Sequence, residues 1–114
     1  MDIQGIYQHY KGKNYEVCGE AVNGKDGTRF ILYRQLYDAL SFWIRPKDMF
    51  FESIQTPQGL MSRFAKMLDV SDVNQENINI FDVPITHSES LKKYKVIDFN
   101  KQDNMYTVDE VLQS

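Results

Sequence analysis

Tyr37, Trp43 and Arg45 are the residues whose types and spacing point most directly to chemistry. Trp43 and Arg45 stand two apart, so in an extended segment their side chains leave the same face while Phe42 and Ile44 take the other. Tyr37 precedes them across a short turn and can meet them from the neighbouring strand. An indole, a phenol and a guanidinium on one face form a shallow groove that stacks on a flat group and hydrogen-bonds a peptide, a carboxylate or a base. The competing reading makes Trp43 a core ring and pairs Arg45 with Asp48 or Glu52 to fix the turn that follows.

Tyr7 and His9 alternate in the same way on an earlier segment, followed by Lys11, and would supply a polar edge to that groove. A catalytic His needs a positioned partner and a pKa near the working pH, and neither a second His nor a carboxylate cluster occurs in this half. No catalytic residue is therefore assigned. The imidazole and thiol donors are His9, Cys18 and His87, at separations unlike any compact ligand pattern, so no metal or cofactor is expected. Cys18 shares a strand face with Glu16 and Glu20, whose charges raise a thiol pKa and argue against a nucleophile. The glycines are spread among turns rather than gathered into a phosphate-binding loop.

These side chains need a scaffold, and 114 residues suffice for one domain or for a small domain with an appended segment. An apolar share of 42% with 7 Phe, 7 Tyr and 1 Trp predicts a packed core rather than disorder. No apolar run approaches the roughly 20 residues of a membrane-spanning helix. The single Cys18 has no partner for an internal disulfide, and Met1 to Gly5 lacks the basic and apolar character of a signal peptide, so a cytoplasmic protein is expected. Charge and aromatics are uneven: residues 1 to 64 carry a net +1 and 11 aromatics, residues 65 to 114 a net −4 and 4 aromatics. A boundary is placed near residues 65 to 72, giving a domain over 1–67 and an acidic extension over 68–114.

The first part reads as short strands punctuated by turns, the pattern of a small all-β barrel. Strands are expected at Gly5 to Tyr10, Tyr15 to Val22, Thr28 to Tyr37, Phe42 to Arg45 and Phe50 to Gln55. Tyr15, Val17, Gly19 and Ala21 are taken as the inward face of the second. Asn23-Gly24-Lys25-Asp26-Gly27 holds both Asn-Gly and Asp-Gly and is the clearest hairpin signal. Pro46 to Met49 suggests one helical turn before the last strand, an order that suits a Src-homology-3-like barrel of about five strands. Residues 56–59 read as a loop and residues 60–67 as helical or extended. The extension is expected to be mixed α/β, with strands at Ile78 to Val83 and Val96 to Phe99, a helix at Ser88 to Tyr94, and a capping box at Thr107-x-x-Glu110 opening a terminal turn.

Gly5, Tyr7, His9, Tyr10, Lys11 and Gly12, then Tyr15, Val17, Gly19 and Ala21, then Tyr33, Leu36 and Tyr37, and finally Trp43, Arg45, Pro46, Met49, Phe50 and Glu52 follow one another in an order and spacing that resembles a bacterial family, domain of unknown function 1653. Arg63-Phe64 is similar to that family's closing pair. The resemblance implies a small Src-homology-3-like barrel and no particular activity. Residues 68 to 114 lie outside it, and the hairpin at 23–27 is shorter than the family's.

The function expected is non-catalytic binding of a protein or peptide through an aromatic and arginine face built from Tyr7, His9, Tyr37, Trp43 and Arg45. The alternative is a nucleotide- or single-stranded nucleic-acid-binding barrel, because Lys11, Lys13, Lys25, Arg29, Arg34, Arg45, Lys47 and Arg63 accompany the rings. Seven acidic residues share that half and the whole chain is −3, so no polyanion-attracting field is set up. An enzyme ranks third. The extension is expected to dock on the barrel or on a second copy of the chain.

Overall fold

The computed structural model describes residues 3–69 and 79–112, and the chain is mainly β. Among the described residues the strands are β1 (Gly5–His9), β2 (Asn14–Asn23), β3 (Arg29–Gln35), β4 (Phe42–Pro46), β5 (Ser53–Thr56), β6 (Gly59–Ser62), β7 (Phe64–Asp69), β8 (Ile85–His87), β9 (Lys93–Asn100) and β10 (Met105–Glu110). One helical turn, α1 (Lys47–Phe50), follows Pro46 as the sequence predicts. The hairpin between β2 and β3 also forms as read: Gly27 N–H donates to Asn23 O at 2.9 Å, and Gly27 takes the φ of +77° that a residue without Cβ tolerates.

Eight strands form one sheet in the order β10-β9-β8-β4-β3-β2-β1-β7, and β10 also pairs with β2, in parallel. The sheet therefore closes on itself as a six-stranded barrel of β2, β3, β4, β8, β9 and β10. Closure also uses a parallel pairing between β4 and β8. The expected small barrel is present, and its six staves come from both halves of the chain. The run β7-β1-β2-β3-β4 is antiparallel throughout and curls beside it.

Two cores result. The barrel interior holds Ala21, Phe30, Leu32, Phe42, Ile44, Ile85, Tyr94, Val96 and Val108, at least one from every stave. The second core lies under the curled run and holds Tyr7, Val17, Ile31, Tyr33, Phe50 and Phe64, with Ile3, Tyr15 and Trp43 packed against it. β3 serves both, with Phe30 and Leu32 on one face and Ile31 and Tyr33 on the other, so it reads as a continuous apolar run. The β2 register slips between Val17 and Gly19, where Val17 faces Tyr33 and Gly19 faces Leu32. That bulge at Cys18 sends Val17 into one core and Ala21 into the other, although their even spacing predicts a common face.

Several expected elements are corrected. Segment 50–55 is not one strand: Phe50 ends α1 with its ring fully buried, and β5 pairs with β6 in a separate two-stranded hairpin. The strand that pairs with β1 on the edge away from β2 is β7, whose Phe64 supplies the buried ring, stacked on Phe50 at 4.1 Å and 5°, that β5 lacks. Residues 80–82 form a 3-10 turn instead of a strand, with Asn79 Oδ1 accepting from Phe81 N–H; Ile78 lies outside the described residues. The helix expected over 88–94 is a turn leading into β9. The capping-box spacing at Thr107 sits within β10, where Thr107 faces Val22 and Asp98 on the flanking strands. Among the described residues no helix is long and apolar enough to cross a membrane.

Candidate functional site

A recess of about 240 Å³ opens on the β2-β3-β4 surface, lined by Tyr15, Tyr33, Tyr37, Trp43, Arg45 and Ser88. Strand register explains the assembly. Tyr33 on β3 faces Trp43 on β4, and Ile31 faces Arg45, so Trp43 and Arg45 flank Tyr33 on the side away from the barrel interior. Tyr15 on β2 faces Gln35. Tyr37 arrives from the loop after β3, and Ser88 from the turn after β8, where its N–H donates to Ile44 O at 2.8 Å. The parallel β4–β8 pairing is what carries a residue of the C-terminal segment to this wall.

The rings are held by a chain of hydrogen bonds. Trp43 Nε1 donates to Gln35 Oε1 at 2.8 Å, and Gln35 Nε2 donates to Tyr37 O at 3.1 Å, which fixes the loop. The Tyr15 and Tyr37 hydroxyls share a hydrogen bond. Lys13 Nζ lies 4.9 Å from the Tyr37 ring centre and braces it from outside. Arg45 Nε donates to the Tyr33 hydroxyl at 3.3 Å, and the guanidinium sits 5.5 Å from the Phe64 ring centre. Its acidic neighbour is Glu89, with Nη1 3.8 Å from Oε1. The partners anticipated in the sequence, Asp48 and Glu52, are not those used; Glu52 pairs with Arg63.

Charge in the recess is settled by burial. Burial, and then the Tyr37 hydrogen bond, pushes the Tyr15 phenol well above its ordinary range. Burial also raises Tyr33, opposed by the Arg45 guanidinium and by Ser88 beside it. Both phenols are neutral donors and acceptors at neutral pH. Ser88 Oγ is buried and completes no hydrogen bond of normal geometry. The wall thus offers a guanidinium, phenol hydroxyls, an unsatisfied serine hydroxyl and an indole face, a set suited to gripping a small group with both a flat apolar part and an acceptor.

Of the residues singled out in the sequence, Tyr37, Trp43 and Arg45 come together here. Tyr7 is placed in the second core, edge-on to Phe50, with its hydroxyl donating to Ile3 O at 2.8 Å. His9 packs on Tyr10 and Phe64, and its Nδ1 accepts from Lys11 N–H at 3.2 Å. Burial, then the charges of Arg45, Arg63 and Lys11, lower its pKa to about 4, so the imidazole is neutral. Trp43 combines both readings made of it, packing on the second core with one side and lining the recess with the other. Burial, with Glu16 adding, pushes the Cys18 thiol up to about 12. His87 is a turn-builder: its Nδ1 accepts from Glu89 and Ser90 N–H, both at 3.1 Å, and so shapes the turn that presents Ser88 and Glu89. Among the described residues no three His, Cys, Asp or Glu side chains gather as metal ligands would.

Tyr15 and Tyr33 were readable as strand residues and as part of the family resemblance but not as site residues, and Ser88 and Glu89 carried no site signal, because their place depends on a pairing between distant strands.

A family model described as a protein of unknown function, DUF1653, matches residues 5–66. The crystal structure of a protein of that family from Bordetella bronchiseptica is similar to this chain, with 27% sequence identity and a TM-score of 0.56, covering 66% of this chain and 95% of its own. No curated protein matches.

Proposed function

Because this chain belongs to the DUF1653 family, whose description assigns no activity, we propose from the geometry alone that it is a non-catalytic recognition module whose Tyr37, Trp43 and Arg45 recess grips one side chain or one chain end of a protein or peptide. The observation that carries the reading is the convergence of three phenols, an indole and a guanidinium around a recess of about 240 Å³. That volume falls below the roughly 300–1,000 Å³ of sites for drug-sized ligands and matches a single anchoring group. Trp, Tyr and Arg are also the types that dominate the binding energy of protein interfaces. The lone Cys18 supports a cytoplasmic setting.

The pairing of the basic residues favours a protein over a nucleic acid. Arg29 and Lys47 both bind Glu20, Arg63 binds Glu52, Lys66 binds Asp69 and Lys92 reaches Glu110. Cations already matched to carboxylates leave little counterion release to be gained from a phosphate backbone. The test is a random peptide display panned against the wild-type chain and an Arg45→Ala variant of checked fold. Peptides retained by the first and lost by the second are the expected result. Salt-sensitive oligonucleotide binding with no Arg45-dependent peptide would overturn it.

A further inference from the structure

Arg45 is the most unevenly satisfied cation of this surface. Its side chain is only 16% exposed, yet its acidic neighbour is a carboxylate 3.8 Å away that is itself 45% exposed. Glu20, by comparison, holds Lys47 at 2.9 Å although that side chain is 43% exposed. A guanidinium has five N–H donors, and beyond the Glu89 contact the described hydrogen bond is the one from Nε to Tyr33. A charge drawn this far from water normally has a closely fitted partner. Beside it the buried Ser88 Oγ also lacks one. Ser88 and Glu89 are consecutive, so the same turn brings to the recess a buried hydroxyl that completes no hydrogen bond of normal geometry, with the Tyr33 phenol beside it, and an acceptor that stops short of its donor.

We infer that the recess takes a carboxylate, and that Glu89 is the chain's own stand-in for it, held loosely so that an incoming carboxylate displaces it from Arg45. This rests on the recognition reading above and names the chemistry of the group recognised. A planar carboxylate accepts two parallel N–H bonds from a guanidinium, which the distant Glu89 does not exploit, and it can accept from Ser88 as well. The rings of Tyr15, Tyr37 and Trp43 then cover the group to which the carboxylate is attached. A carboxylate is preferred over phosphate because the lining holds one cation, Arg45, and the acid already stationed at it is a carboxylate. The group can come from the C-terminus of a peptide or from an Asp or Glu side chain.

The test uses the intact chain and follows the indole N–H resonance of Trp43, the single tryptophan, during NMR titration with benzoate, benzamide and inorganic phosphate. The expected result is a saturable shift with benzoate, and little with benzamide or phosphate. Glu89→Gln, at an exposed turn, should tighten benzoate by about two- to fivefold, the worth of a half-exposed ion pair. Arg45→Gln should abolish the shift, with Arg45→Lys as the second variant should the first fail to fold, expected to weaken benzoate at least about tenfold because the bidentate fork is lost. Matched peptides with free or amidated C-termini then separate a chain end from an acidic side chain. Benzamide or phosphate binding as well as benzoate, no response to any of the three, or a Glu89→Gln affinity equal to wild type would overturn the inference. If display peptides still bind through Arg45 in that case, the recognition reading survives alone; if those fail too, both are lost.

Discussion

The hydroxyls of Tyr15 and Tyr37 lie 2.6 Å apart, with their rings edge to face at 5.6 Å and 90°. The contact ties β2 to the loop after β3 and so sets one wall of the recess. Tyr15→Phe and Tyr37→Phe should each cost about 1 kcal/mol, the net worth of a hydrogen bond between partly buried neutral groups. The double variant should cost clearly less than the sum, since the second change removes a bond already broken. Urea denaturation of the four proteins reads this, and strict additivity would show that the two hydroxyls do not depend on one another.

His9 makes stability fall in mild acid. Its ordinary pKa is 6.5 and burial with three nearby cations lowers it to about 4 in the fold. Between those values the unfolded chain binds the proton and the folded chain does not, so stability decreases as pH falls through 6.5 and the loss levels off near 4. His87, lowered mainly by burial, adds to the slope, while Glu16, raised by burial, opposes it. A His9→Gln variant should therefore lose less stability than wild type between pH 7 and about pH 4.5. Parallel denaturation curves across that window would contradict the assignment.

At Gly5 the backbone of β1 runs against the carbonyl of Leu68 on β7. Gly5 has a φ of +151°, and a Cβ built there would overlap the Leu68 carbonyl oxygen, a backbone atom that cannot turn aside. Gly5→Ala should destabilise the fold by about 2 to 3 kcal/mol through displacement of β7. Thermal melting checks it, and Gly12→Ala is the control: that position also has positive φ but open space around it, so its loss should be the smaller.

A chain ending at Asp69 lacks β8, β9 and β10, half of the closed barrel. Phe30, Leu32, Phe42 and Ile44 would then face water on the barrel side. Full burial of such a side chain is worth about 1.5 to 3 kcal/mol, so their combined loss rivals the 5–15 kcal/mol that holds an ordinary domain together. The truncated chain should show no cooperative melting transition. A sharp transition near that of the full chain would mean that residues 5–69 fold by themselves.

Local turn chemistry made the first half of the fold legible. Asn-Gly and Asp-Gly marked the β2–β3 hairpin, Pro46 marked α1, and the alternation of Trp43 and Arg45 placed both on the wall of the recess. The second half was opaque for identifiable reasons. β8 and β10 enter through parallel pairings with β4 and β2, contacts between distant parts of the chain that leave no local pattern. Thr107 and Glu110 satisfied a helix-start spacing, yet Met105-Tyr106-Thr107-Val108 has the branched and aromatic types that suit a strand with partners on both sides. The bulge at Cys18 was equally hidden, since nothing in the residue names tells which pair in a regular alternation will slip. Arg45 was identified without its neighbour, because Glu89 reaches it only after the barrel has closed.

β3 has no solvent side along Phe30 to Tyr33. Its amides should therefore be among the last to exchange with deuterium, and a side chain trimmed at Ile31 should be felt at Phe42 and Ile44 as well as at Phe50. Since β3 is a wall of both cores, the chain should melt as a single event, and a ligand gripped above Tyr33 should slow exchange in the barrel interior that it never touches.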